Sequence, residues 1–465
     1  MRFLHLAVFL TAVSLSAEET ALDRYVKQPD PAYKWSVAAK IPGRGVTAYV
    51  LEVTSQNWLT PAEVDRTYWK HWVVVHKPET VSSDVALLLI EGGSNPSKPP
   101  AKPDDFLSSV ATKTQSVTVQ LRMVPNQPLS FYGESRRRTE DSIIAYTWQR
   151  YLETGDDRWL ARLPMTKAAV RAMDAVQEFM ASEAGGKAQV SRWVVTGGSK
   201  RGWATWTTAA ADKRVIAIAP AVIDLLNMEP SFIHHWRVYG FWAPAISDYF
   251  EHGIMNWWGS EQMENLMKIV EPYQYRERLT MPKLIINSAG DQFFVPDSWQ
   301  FYFKELKGEK YLRYVPNTDH GVTRRSDAAF TISAFYESIV KGWKRPEFEW
   351  EVTPEGKTIV VCKDKPAAVK VWSAKNPDAR DFRLDKIGPA YKSEDVPLRA
   401  DGRYEIAPAA PAKGFMAYFV ELTFKTPGGS DLKVTTGTKV LPDVYPFPAP
   451  KLSPPAAARL LRETR

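Results

Sequence analysis

The sequence predicts an α/β fold with a mostly parallel sheet and an inserted cap, followed by a small all-β module of sandwich type. Three observations carry this. Apolar runs alternate with helical patterns from Val46 to Gly342, as in a sheet with helices on its faces. Helical patterns stop after Trp343-Lys344-Arg345-Pro346, where short alternating runs begin. The chain has 465 residues, more than one ordinary core accommodates, so two domains are expected.

Composition narrows the function classes. The net charge of +7 comes from 60 Lys and Arg against 53 Asp and Glu. These are spread without the dense basic stripe of nucleic-acid binders, so no nucleic-acid partner is expected. Met1 to Ala17 has the form of a secretory signal: Arg2, an apolar run from Phe3 to Val13, then small residues. That stretch is short for a bilayer span, and no other run approaches spanning length. A secreted or periplasmic protein without stable membrane insertion is expected. The one cysteine, Cys362, lies in a strand-like run and is read as a packing residue, since a single thiol closes no internal disulfide.

Residues 18–345 form the expected α/β domain. Ala21 to Lys40 reads as an irregular polar edge. Val46 to Val53 and Trp72 to His76 read as strands, and Val85 to Ile90 as a central strand covered on both faces. Its tip, Glu91-Gly92-Gly93-Ser94-Asn95, is a tight turn or a glycine-rich loop with free backbone N–H groups. A helix from Asp104 and a strand over Ser116 to Val124 follow. The next loop carries Arg136-Arg137-Arg138, read as a solvated surface, the alternative being that one arginine reaches a site. Glu140 to Leu152 and Lys167 to Ser182 show helical spacing. Trp193 to Thr196 is the next strand and Ala204 to Ala211 the next helix.

After the strand Val215 to Ala219, the pattern loosens over about 225–275, the expected cap. Trp236, Trp257 and Trp258 lie there and are assigned to a substrate pocket, the alternative being the cap's own small core. His234-His235 lacks ligand partners at metal spacing, so no metal site is expected, and nothing calls for a cofactor. Leu284 to Asn287 and Tyr311 to Val315 resume the sheet, and Ala328 to Val340 closes it as a helix. Residues 346–445 form the β module, with a hairpin turn at Pro427-Gly428-Gly429. Residues 446–465 read as a loosely attached tail.

Three positions then combine. Ser199 lies between glycines where a strand turns into a helix, Asp291 follows a later strand, and His320 follows the last. The order Ser…Asp…His, each at the C-terminal end of a strand, is that of the α/β-hydrolases. A serine hydroxyl becomes a nucleophile when an imidazole takes its proton, and a carboxylate fixes that imidazole's tautomer. Asp224 is a rival for the acid. The backbone N–H of Lys200 is the expected first oxyanion donor, and Gly92 or Gly93 supplies the second. The Lys200 side chain, a cation at a helix start, is expected to face solvent, the alternative being a direct approach to the oxyanion.

Four segments carry a resemblance: Glu91 to Asn95, Leu121-Arg122-Met123-Val124-Pro125-Asn126-Gln127-Pro128, Glu140 to Trp148, and Gly197-Gly198-Ser199-Lys200-Arg201-Gly202-Trp203. Together they resemble the PhoPQ-activated pathogenicity-related protein family, over about Tyr25 to Tyr445. The resemblance implies a secreted or envelope α/β-hydrolase with a β-rich C-terminal module, without an established substrate. The late glycine, Gly202, and the cation after the serine are also similar to glucuronoyl esterases, although Lys200 stands where those have arginine.

The reading is a secreted serine hydrolase that cleaves an ester or amide through an acyl-enzyme. Its partners would be a small-molecule, glycan-ester or peptide substrate. Two rivals remain: a peptidase of the prolyl-oligopeptidase type, and a non-catalytic secreted binding or signalling protein that keeps the fold.

Overall fold

A computed structural model describes residues 19–323 and 326–452. The expected signal at Met1 to Ala17 lies outside them. Thr20 opens the described chain with a capping box, its hydroxyl accepting from the Asp23 N–H at 3.3 Å while Asp23 accepts from the Thr20 N–H at 2.9 Å. Helix α1 (Ala21–Lys27) follows, then strand β1 (Lys34–Gly43). This corrects the expectation of an irregular edge from Ala21 to Lys40. As an edge strand interrupted by a bulge between Val37 and Ala39, β1 is mostly exposed and lacks clean alternation.

Strands β2 (Val46–Asn57) and β3 (Tyr68–Pro78) complete an antiparallel meander. Strand β4 (Val85–Ile90), helix α2 (Asp105–Thr114) and strand β5 (Thr118–Leu121) begin the parallel part. Two-residue strands β6 (Leu129–Ser130) and β7 (Arg137–Arg138) pair in the loop before helices α3 (Asp141–Thr154) and α4 (Arg162–Ala181). Then come β8 (Arg192–Gly198), α5 (Lys200–Ala211) and β9 (Val215–Ala221). Three helices, α6 (Met228–Tyr239), α7 (Ser247–Glu251) and α8 (Glu261–Val270), occupy the insertion before β10 (Lys283–Ser288). Strand β11 (Lys310–Val315) and helix α9 (Ala328–Val340) close this half.

The parallel strands run in the order β5-β4-β8-β9-β10-β11. Alternate residues of each strand serve opposite cores. Ala86, Leu88 and Ile90 pack under α3, α4 and α5, whereas Val85 and Leu87 pack under α2 and α9. That is a three-layer α/β-hydrolase fold with a cap between β9 and β10. No helix among the described residues is long and apolar enough to cross a membrane.

The C-terminal module has strands β12 (Phe348–Val352), β13 (Thr358–Cys362) and β14 (Ala368–Asn376), a short helix α10 (Leu384–Ile387), then β15 (Lys392–Asp395), β16 (Arg403–Ile406), β17 (Phe415–Lys425), β18 (Asp431–Thr435) and β19 (Lys439–Leu441). Strands β12, β13 and β16 form one sheet, packed on β14 and β17 through Val360, Tyr404, Val420 and Leu422. The second sheet is not free-standing. It joins the main sheet where Thr435 of β18 meets Leu312 of β11, and one apolar core continues from beneath α9 into the module. Cys362 is buried, and burial pushes its thiol up to about 11. The expected tail begins anchored, since the Phe447 N–H donates to the Arg237 carbonyl on α6 at 3.1 Å.

Candidate active site

Ser199 links β8 to α5 with φ 58° and ψ −126°, a conformation that costs a non-glycine residue roughly 1–3 kcal/mol. Two glycines make room for the turn. A Cβ at Gly197 would stand 2.8 Å from the Arg201 carbonyl oxygen, and one at Gly202 would stand 2.8 Å from that of Ala221. Gly198 is not under that constraint, since its Cβ would meet only Val222, at 3.8 Å. The late second glycine is thus the one that lets α5 approach β9, and Arg201 occupies the usual glycine position.

Asp291 and His320 leave the ends of neighbouring strands β10 and β11 and meet there. The imidazole Nδ1 lies 3.0 and 2.9 Å from the two carboxylate oxygens. The Phe293 N–H donates to Asp291 at 2.8 Å, and Gln292 accepts from the His320 N–H at 3.0 Å, which fixes both loops. Phe293 and Phe294 pack on the imidazole, with centroids at 4.2 and 5.9 Å. His320 Nε2 is buried and has no hydrogen-bond partner among the described residues. No hydrogen bond joins it to Ser199 in this state, but the phenylalanines packed on the imidazole also line the cavity that contains Ser199.

Asp224 has different company. It accepts from the Tyr302 and Tyr314 hydroxyls at 2.7 and 2.5 Å. Burial, which the two phenols only partly offset, pushes its carboxyl up to about 8. Of the two candidate acids, Asp291 is the one on the histidine.

The cavity beside Ser199 has a volume of about 30 Å³. Its walls come from Trp148 and Trp203, from Phe293 and Phe294, and from Phe232 and Tyr249 of the cap. Trp257 and Trp258 are instead buried in the cap's packing, where Trp258 backs Phe232 at 5.8 Å. Trp236 packs on Trp242 at 5.0 Å. The structure does not bring these three tryptophans to the cavity; sequence reasoning missed Trp148, Trp203, Phe232 and Tyr249, whose signal was only that of core aromatics.

The profile of the PhoPQ-activated pathogenicity-related protein family matches residues 22–383. This chain belongs to that family. It is also 37% identical to autocrine proliferation repressor protein A of Dictyostelium discoideum, over 95% of this chain and 94% of that protein. Among solved structures, it is similar to an acetyl xylan esterase from a Paenibacillus species, with a TM-score of 0.49 and 16% identity over 70% of this chain and 92% of that one. An acetyl xylan esterase from a Thermoanaerobacterium species gives a TM-score of 0.48 and 16% identity, covering 69% and 92%.

In this member of the PhoPQ-activated pathogenicity-related family, the four segments singled out in the sequence form one polar network behind the serine. Gln127 donates to the Gly93 carbonyl at 3.0 Å and to Glu140 at 2.6 Å, and accepts from the Glu140 N–H at 2.8 Å. Glu140 receives both terminal nitrogens of Arg201 at 2.7 Å. Arg201 Nε donates to the Val124 carbonyl at 2.5 Å, and its guanidinium lies against Gly92, where a Cβ would be 2.6 Å from it. The Lys200 ammonium sits 2.8 Å from Glu140 and 2.9 Å from Asp141. The expectation that Lys200 faces solvent is corrected: its side chain is 7% exposed, drawn inward by two carboxylates at the start of α3. Burial pushes the Glu140 carboxyl up, but Arg201 and Lys200 outweigh that and hold it far below the usual range. Arg138 of the basic triplet is likewise buried, bridging Glu134, Ser142 and His252 of the cap. Among the described residues no group of acidic, histidine and cysteine side chains could hold a metal.

Proposed function

We propose that this chain is a secreted serine hydrolase that cleaves an ester or amide through an acyl-enzyme. Ser199 attacks the carbonyl carbon, His320 takes the serine proton and returns it to the leaving group, and Asp291 holds the imidazole. The observation that carries this reading is His320 itself, with Asp291 on Nδ1 and a buried Nε2 left without a partner. The strained serine at the tip of β8 supports it. The Lys200 N–H begins α5, where the helix dipole favours an oxyanion, and Gly92 or Gly93 would supply the second donor. The N-terminal pattern of Met1 to Ala17 supports export.

The test is labelling by a fluorophosphonate probe, with Ser199→Ala as control. Labelling of the wild type that disappears in the variant is the expected result. A folded wild type that does not label sinks the reading. A second reading is favoured by the name of the Dictyostelium relative, an autocrine proliferation repressor: a secreted signalling protein that retains the fold. It gains if labelling fails.

A further inference from the structure

Five arginines in the described chain are buried: Arg138, Arg162, Arg313, Arg380 and Arg383. Four of them sit on a carboxylate, Arg138 on Glu134, Arg313 on Asp327, Arg380 on Asp297 and Arg383 on Asp381. Arg162 has no such partner among the described residues. It is 4% exposed, it is the first residue of α4, and it lines the cavity that contains Ser199. One terminal nitrogen donates to the Lys200 carbonyl at 3.2 Å, the guanidinium lies over Trp203 at 4.4 Å, and Nε has no partner. Burial lowers its pKa against the pull of the Tyr249 hydroxyl and of Asp141, and that carboxylate already receives Lys200 and the Tyr249 hydroxyl, each at 2.9 Å.

A buried cation without a counter-ion is costly, and a fold keeps one where something else supplies the charge. Around this cavity Lys200 and Arg201 are paired with Glu140 and Asp141, and Asp291 with His320, which leaves Arg162 as the cation without an ion-pair partner of its own among the described residues. The N-termini of α3, α4 and α5 meet here too and add positive potential. The other walls, among them Met228, Phe232, Ile246, Phe293 and Phe294, are apolar, so water does not screen a charge placed between them.

We propose that this cavity is an acyl pocket for a short group ending in a carboxylate, with Arg162 as the residue that recognises it. The proposal rests on the serine-hydrolase reading and names its substrate class, a half-ester of a small dicarboxylic acid. The cavity, about 30 Å³, is close to the space of one water molecule, so a short acyl chain asks the least displacement of its walls. Phe232, Ile246 and Tyr249 belong to the insertion and are the walls that must move aside to admit it. In the reaction, Ser199 Oγ bonds to the ester carbonyl carbon and the bond to the alcohol oxygen breaks. The alcohol leaves with the proton carried by His320, and the acyl group stays on Ser199 with its free carboxylate on Arg162. Water then releases the dicarboxylic acid and restores the serine.

The test compares ethyl hydrogen succinate with ethyl butyrate by titrating released acid, and measures succinate binding to Ser199→Ala by calorimetry. The expected kcat/KM is at least about tenfold higher for the succinate half-ester, the scale of a charged hydrogen bond. Arg162→Met abolishes the preference, mainly through KM, and removes succinate binding when combined with Ser199→Ala. Arg162→Lys retains part of both. Equal rates on the two esters in wild type, or no succinate binding by folded Ser199→Ala, overturn the proposal without recourse to an Arg162 variant. Failure of the hydrolase reading looks different: no fluorophosphonate labelling, with succinate still bound in an Arg162-dependent way.

Discussion

His320 and His234 each hold an aspartate, at 2.9 and 2.7 Å, yet their second ring nitrogens meet opposite surroundings. That of His320 is buried without a partner beside the serine's cavity. That of His234 meets the Tyr445 hydroxyl at 3.0 Å, and its aspartate, Asp297, also receives Arg380 at 2.7 Å. Burial pushes the Asp297 carboxyl up, but Arg380 and His234 outweigh it and hold the group well below the usual range. The His234 pair is saturated, and it ties cap helix α6 to the loop after β10 and to the C-terminal strap. A histidine on an aspartate is therefore a catalytic candidate only where its far nitrogen is kept open. Elsewhere the same pair is a rivet.

Mutation separates the two pairs most sharply. His320→Ala is expected to lower kcat/KM by roughly a thousandfold or more, as triad deletions do, with the fold intact by circular dichroism. His234→Ala should leave fluorophosphonate labelling nearly unchanged while lowering stability in urea by roughly 1–3 kcal/mol, because Asp297 loses a buried partner. The reverse pattern would exchange the roles. Asp291→Asn should cost on the order of a hundredfold to ten-thousandfold in turnover, whereas Asp224→Asn should leave activity within a few-fold.

The acids also differ in their response to pH. Asp297, held low in the fold, contributes stability that is present above its unfolded pKa and is lost as pH falls below it. Asp224 has the opposite sign. Pushed up to about 8 in the fold, it keeps its proton while the unfolded chain releases its own near about 4, so its contribution declines as pH rises between those values. Thermal denaturation at several pH values should show this decline in wild type and its loss in Asp224→Asn. The smallest effect is Tyr445→Phe, which removes one hydrogen bond from His234 and should cost about 1 kcal/mol.

The positions of Ser199, Asp291 and His320 at strand ends were legible because each follows an apolar run that reads as a covered strand. Hydrophobic pattern reports where a strand ends, and in this fold strand ends are where sites gather. What pattern does not report is direction. Lys200 reads as a cation at a helix start, and only the placement of α3 shows that two carboxylates draw it inward. Arg162 was harder still. The helical spacing was read from Lys167, but α4 begins at Arg162 with Pro164 in its first turn, a position where proline is tolerated. The tryptophans of the cap were conspicuous by type, yet a large aromatic looks the same in sequence whether it lines a cavity or supports the residue that does. The edge strand β1 is not legible in the sequence because exposure and its bulge remove the alternation that marks a half-buried strand.

The seam between the two halves has a bearing on solubility. Strand β11 pairs with β10 along six residues, while its outer side meets β18 at Leu312 and Thr435, where the Tyr314 N–H also donates to the Thr435 hydroxyl at 2.9 Å. Without the module, that side would present bare backbone donors and acceptors flanked by tyrosine, leucine and valine. Such an edge recruits strands from other chains. The C-terminal strands cover that edge of β11 and move the rim of the sheet outward to β15.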